Sequence, residues 1–185
     1  MRNLRKIGVC ALSMVALVGC SISKEDAVKR TENYSQETVR EKYNTCVGKQ
    51  VEKVNKSEGI FANIFKVGEV ETEIQGSLEV LNQEEIDDIL SEFDGVTFKA
   101  NGSKGLTIEY KKSGEDFLDD FGVEVPEGQK INGECYMVAK FNDDGLQEYS
   151  ESSIKIDFKF TTTGLTIEGA LDMITKTTFE YKMAS

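Results

Sequence analysis

The chain has 185 residues, 33 of them Asp or Glu against 22 Lys or Arg, and it contains neither histidine nor tryptophan. Without imidazole there is no Ser-His-Asp or Cys-His machinery and no His-liganded metal site, so only carboxylate, lysine or tyrosine mechanisms survive as enzymatic routes. A net charge of −11 works against docking on nucleic acid or anionic lipid through a basic face.

In chain order, a positive start (Arg2, Arg5, Lys6) leads into Ile7–Val18, twelve uncharged and mostly apolar residues. A spanning helix needs about 20 apolar residues, so this length fits the apolar region of an export signal. The run closes with Leu17-Val18-Gly19-Cys20 and turns polar at once (Ser21, Ser23, Lys24, Glu25, Asp26).

Leu17-Val18-Gly19-Cys20 resembles the lipobox of bacterial lipoprotein precursors. The resemblance implies cleavage between Gly19 and Cys20 and a diacylglyceryl group on the Cys20 sulfur. It covers the first twenty-odd residues only. Two or more acyl chains hold a protein firmly at a membrane, so the expected product is lipid-anchored at an extracytoplasmic face. Residues 1–19 then form the signal peptide, 20–34 a lipidated tether and 35–185 a single domain. Loss of Met1–Gly19 removes three basic residues and no acid, leaving 19 against 33 and a net charge of −14.

Residues 21–34 are polar and weakly patterned, as a partly helical tether would be. Val39, Tyr43, Cys46, Val47, Val51 and Val54 recur at three- and four-residue steps, which predicts one long amphipathic helix from Ser35 to about Lys56. The period then becomes two. Val70, Thr72, Ile74, Gly76, Leu78 and Val80 alternate with polar residues. Val96, Phe98 and Ala100 do the same, and after a turn at Asn101-Gly102 so do Leu106, Ile108 and Tyr110.

Ile131, Gly133, Cys135, Met137, Ala139 and Phe141 share a face, as do Ile154, Ile156, Phe158 and Phe160. Leu165 and Ile167 begin another strand, and Phe179, Tyr181 and Met183 fall on one face near the end. Asn82 and Glu85 can cap a short helix striped by Ile86, Ile89, Leu90 and Phe93. A second short helix is expected over Glu115–Phe121, followed by a turn at Val125-Pro126-Glu127-Gly128.

Strict alternation gives each strand one wet and one dry face, which points to antiparallel pairing. The expected fold class is α+β: a curled antiparallel meander of about seven strands, packed against one long N-terminal helix and two short ones. Gly105-Leu-Thr-Ile-Glu109 recurs as Gly164-Leu-Thr-Ile-Glu168. The flanks do not match, so two hairpins with similar local demands explain the echo better than a duplication.

Cys46 and Cys135 are either a disulfide, as an exported domain would form, or two buried thiols. The acidic clusters Glu84-Glu85-Asp87-Asp88 and Glu115-Asp116-Asp119-Asp120 fall at helix starts, where the helix dipole favours them. Asn142-Asp143-Asp144-Gly145 reads as a hairpin tip. Counted from Lys140, it puts Asn142, Asp144, Gly145, Glu148 and Glu151 on calcium-loop positions, but Lys140 stands in place of the first acidic ligand. No phosphate loop, nucleophile elbow or zinc spacing is present, so no catalytic residue, metal or cofactor is assigned.

Three readings remain, an enzyme using carboxylates or Tyr/Lys and two that are non-catalytic. In one the chain is an envelope interaction protein, docking a partner protein through its acidic face or a sheet edge. In the other the dry-face aromatics (Phe98, Tyr110, Phe141, Phe158, Phe160, Phe179 and Tyr181) line a cavity for a hydrophobic or lipid-like ligand. The order of tether, helix and meander is loosely similar to half-barrel lipid-carrier lipoproteins, which implies the second.

Overall fold

The computed structural model describes residues 21–114, 131–162 and 164–184. The lipobox-like run with Gly19 and Cys20, the expected helix at 115–121 and the turn at 125–128 lie outside them.

Three helices, α1 (Lys24–Thr31), α2 (Gln36–Lys42) and α3 (Gln83–Glu92), accompany eight strands. The strands are β1 (Ser21–Ile22), β2 (Tyr43–Gly59), β3 (Gly68–Gln75), β4 (Thr97–Asn101), β5 (Gly105–Ser113), β6 (Ile131–Phe141), β7 (Gln147–Thr162) and β8 (Leu165–Met183). They form one sheet in the order β1-β4-β5-β6-β7-β8-β2-β3, antiparallel throughout. β4 to β8 are the expected meander. β2 and β3 return from the N-terminal side of the sequence to complete its far edge.

The expected long helix is not there. Only Gln36–Lys42 is helical, and Tyr43–Gly59 is a 17-residue strand held between β8 and β3. The helical spacing of Cys46, Val47, Val51 and Val54 arises because β2 carries apolar residues on both faces. Cys46 and Val54 point one way and Val47 and Val51 the other, and β-branched side chains suit a pleated strand better than a helix. Gly48 belongs to this strand geometry. A Cβ there would lie 2.7 Å from Ile74 and 2.9 Å from the Phe179 ring, its partners on the two flanking strands.

Residues 21–34 are not a loose tether. β1 pairs with β4, and Ser23 caps α1 by accepting the Asp26 N–H at 3.1 Å. Arg30 donates to the Gly105 carbonyl at 2.9 Å, and the Tyr34 hydroxyl donates to that of Lys104 at 2.8 Å. Ala27 is fully buried with Leu81, Ile86, Phe98, Leu106 and Ile108 in the main core cluster. Burial of such side chains contributes roughly 1.5–3 kcal/mol for each of the larger ones.

The alternating run at 70–80 also stops short. β3 ends at Gln75, and residues 76–82 leave the sheet edge to cross toward α3, with the Leu81 N–H donating to the Gly145 carbonyl at 3.0 Å. Gly76 begins this departure where a Cβ would run into the Cys46 sulfur.

Cys46 and Cys135 are both free and buried. Following the register from β6 to β2, Cys135 stands level with Ile154, Met173 and Val54. Val54 is eight residues beyond Cys46 on a strand three places away, a separation of roughly 26 Å along the strand alone. A bridge needs Cα atoms within about 7 Å.

Two outcomes follow from this architecture. Gly48→Val forces overpacking between Ile74 and Phe179 and lowers stability by about 1–3 kcal/mol, read from the urea midpoint at unchanged m-value. A reducing agent leaves the melting temperature of the chain where it was.

Candidate functional site

α3 begins with the expected capping box. The Asn82 side-chain oxygen accepts the Glu85 N–H at 3.1 Å, and the Glu85 carboxylate accepts the Asn82 N–H at 2.9 Å. This start sets which stripe of the helix faces the sheet. Ile86 is buried in the main cluster, and Ile89 and Phe93 overhang the inner face of the sheet, where the Phe93 ring meets Tyr110 at 5.2 Å between centroids. Gly95, at φ +87°, then turns the chain into Val96 and β4.

Between this overhang and the sheet lies a partly open pocket of about 280 Å³. Ile89, Phe93 and Val96 form its roof. Ile108 and Tyr110 of β5 with Met137 and Ala139 of β6 form one wall. The floor is Ser150 and Ser152 of β7 with Thr175 and Thr177 of β8. The register makes these four hydroxyls a compact block, since Ser150 pairs with Thr177 and Ser152 with Thr175. The exposed surface of the pocket is almost wholly apolar. Its volume sits near the lower end of the range for small-molecule sites, about 300–1,000 Å³. It accommodates one acyl chain or a small ring system.

The seven aromatic residues expected to line one cavity share the inner face but divide among several places. Tyr110 lines the pocket under α3. Phe141, Phe179 and Tyr181 line a second pocket of about 220 Å³ on the other side of Ile89, with Leu81 and Glu85. Phe98 is buried in the main core cluster. Phe158 and Phe160 stack on each other, 4.9 Å between centroids, toward the β7–β8 turn. What sequence reasoning missed is the hydroxyl floor. The apolar row of β7 and β8 (Ile154, Ile156, Leu171, Met173) continues on the same face as Ser150, Ser152, Thr175 and Thr177, and that interruption at unchanged parity was the available signal.

The acidic tip has structural partners. Asp143 accepts the Ser103 hydroxyl at 2.6 Å and the Lys104 and Gly105 N–H groups at 2.8 Å. Asp144 accepts Lys42 at 2.6 Å and the Tyr43 hydroxyl at 2.8 Å. The Asn142 side-chain oxygen accepts the Asp144 and Leu146 N–H groups. Glu148 accepts from Asn101, and Glu151 from Tyr149. The tip therefore ties the β6–β7 turn to the β4–β5 turn and to the start of β2. Gly145 completes it at φ +80°, covered by the Tyr34 ring. Among the described residues, no three or more Cys, Asp or Glu side chains are grouped to hold a metal ion.

Burial pushes the Cys46 and Cys135 thiols up, away from the reactive thiolate. Among the described residues, each carboxylate with a displaced pKa (Glu25, Asp87, Asp143, Asp144 and Glu168) is displaced downward, chiefly by hydrogen bonds to its charged form. A general acid at neutral pH needs the opposite shift.

Because the Ser103 hydroxyl and two backbone N–H groups hold the Asp143 pKa down, and Lys42 does so for Asp144, both contribute stability that is fully present above the unfolded value of about 4. That stability is lost as pH falls below about 4. Melting temperatures measured between neutral pH and about pH 3 are expected to drop at the acid end, and Asp143→Asn with Asp144→Asn reduces the slope while lowering the neutral plateau. Compared with protein-family models, curated protein sequences and solved structures, the chain matches none, so the reading of its function rests on this geometry.

Proposed function

We propose that this chain is a lipid-anchored, extracytoplasmic, non-catalytic module that binds a small hydrophobic or lipid-like ligand in the pocket under α3. The observation that carries the reading is the pocket itself, whose exposed lining is almost wholly apolar. Its chemistry fits the apolar body of a ligand. The anchor is supported by the lipobox-like Leu17-Val18-Gly19-Cys20, which would hold the domain beside a source of such ligands.

The test is native mass spectrometry of the chain purified without harsh detergent, together with titration of a fluorescent fatty-acid probe. Discrete added masses that disappear on organic extraction are expected, along with saturable probe binding. Ala139→Phe projects a ring into the pocket and weakens the probe by roughly tenfold or more, which corresponds to about 1.4 kcal/mol, at little change in melting temperature. Equal probe binding by Ala139→Phe sinks the pocket reading.

A second reading, docking of an envelope protein, is favoured by β3. This strand is one edge of the sheet and is exposed over nearly its whole length, with Glu69, Glu71 and Glu73 on one face. An edge of this kind can accept an added strand from a partner. A bare mass, no probe binding and a crosslinked partner at β3 would establish it in place of the first.

A further inference from the structure

The longest strands converge at one end of the molecule. Gly59, the last residue of β2, pairs with Gly169, while the β7–β8 hairpin continues beyond it through Phe160 and Ile167 to Leu165. The β2–β3 connection folds back onto this hairpin. The Ile60 N–H donates to the Glu168 carbonyl at 3.1 Å, and those of Ile64 and Phe65 donate to the Phe61 carbonyl at 2.9 Å. The Phe61 ring meets Phe158 edge-on at 6.0 Å. The loop is thus a tied set of turns that leaves much of its apolar surface facing outward.

Those outward side chains are apolar and wet. Six large hydrophobic residues are highly exposed among the described residues, and four stand here: Ile60 at 50 %, Ile64 at 68 %, Val67 at 63 % and Leu165 at 60 %. Such clustering marks an interaction site rather than the scattered apolar exposure usual on a surface. The charge pattern is equally local. Residues 60–68 contain one charge, Lys66, and residues 160–167 contain none, in a chain of net −11. Of the acids just behind the tip, three are paired: Lys56 lies 3.1 Å from Glu58 and 3.7 Å from Asp157, and Lys159 lies 2.8 Å from Glu168, while Glu69 opens β3 beside Gly68.

We propose that this tip, Ile60 to Val67 with Leu165, inserts into the acyl region of a lipid bilayer. A protruding cluster of Ile, Phe, Leu and Val with a single lysine suits lipid, which moulds itself around a protrusion, with Lys66 at the headgroup level. Protein interfaces favour Tyr, Trp, Phe, Met and Arg, and the highly exposed side chains of the tip, Ile60, Ile64, Val67 and Leu165, include none of these. The apolar cluster is continuous inward, since Phe158 and Phe160 pack in the same group as Phe93, Val96 and Tyr110. The tip therefore stands at one end of an apolar track whose other end is the pocket. The membrane contact does not depend on the pocket's ligand.

Because the chain has no tryptophan, a single introduced indole reports its own surroundings. Ile64→Trp is compared with Met183→Trp, a position similarly exposed but at the opposite end of β8. Each full-length variant is mixed with phosphatidylglycerol–phosphatidylethanolamine vesicles, with and without brominated acyl chains. The expected result for Ile64→Trp is a blue shift and loss of most of its emission on brominated lipid, relieved by adding Lys66→Glu. Met183→Trp is expected to show no comparable loss. Equal, weak quenching of the two variants overturns the proposal, even where the protein floats with the vesicles through its N-terminus. A blue shift of Ile64→Trp that grows with protein concentration in the absence of lipid overturns it in favour of a second copy. Neither result bears on probe binding by the pocket, so the two readings fail separately.

Discussion

Everything else in the fold depends on the pairing of β2 with β8, an early segment laid along the end of the chain from Tyr43–Met183 to Gly59–Gly169. It joins segments far apart in the sequence and closes a loop whose entropy must be offset by the contacts that follow. Without it the meander β4–β8 would end in a 19-residue strand with one edge open, and β3 would have nothing to pair with. Cys46 and Gly48 both sit at this seam. The small residue at 48 is what allows Ile74 and Phe179 to meet across the strand between them.

The seam also explains why the sheet's inner face has distinct zones. Near β1, β4 and β5 it is sealed by α1 and α3 over the main core cluster. Farther across, the helices no longer reach, and the face changes from Ile and Phe to Ser and Thr where the α3 overhang ends. Hydroxyls tolerate a partial hydration that a bare aliphatic surface would not. Beyond that, where β2, β7 and β8 outrun the remaining strands, aromatic residues return and the tip is apolar to its end. Asp143, Asp144 and Glu85 are committed to turns and a cap.

Much of this was legible from local pattern. The antiparallel meander showed in the alternation at 96–111, 131–141 and 154–160, because a half-buried strand imposes a period of two on its own residues. The helix at Gln83–Glu92 showed in its capping box, a purely local device. β2 did not show, because a strand with apolar residues on both faces and partners on both edges loses the alternation that identifies strands, and its valines fell at helical steps by coincidence. The docking of residues 21–34 was hidden for a related reason. A polar segment held by one buried alanine and by hydrogen bonds from Arg30 and Tyr34 to distant carbonyls looks like linker in sequence.

The repeated pentapeptide divides what sequence determines from what only tertiary structure decides. In both copies, Gly-Leu-Thr-Ile-Glu starts the second strand of a hairpin, and the closing glutamate pairs with a lysine on the first strand: Glu109 with Lys99 and Glu168 with Lys159. Turn, strand and cross-strand pair are short-range matters, and the sequence by itself determined them, as its lack of histidine excluded imidazole chemistry. Yet Leu106 is fully buried beneath α1 and α3, and Leu165 is 60 % exposed. Whether the same leucine becomes core or contact surface depends on which helix lies over that part of the sheet. That in turn depends on strand order and strand length, because burial is a property of the surfaces brought together and not of the residue.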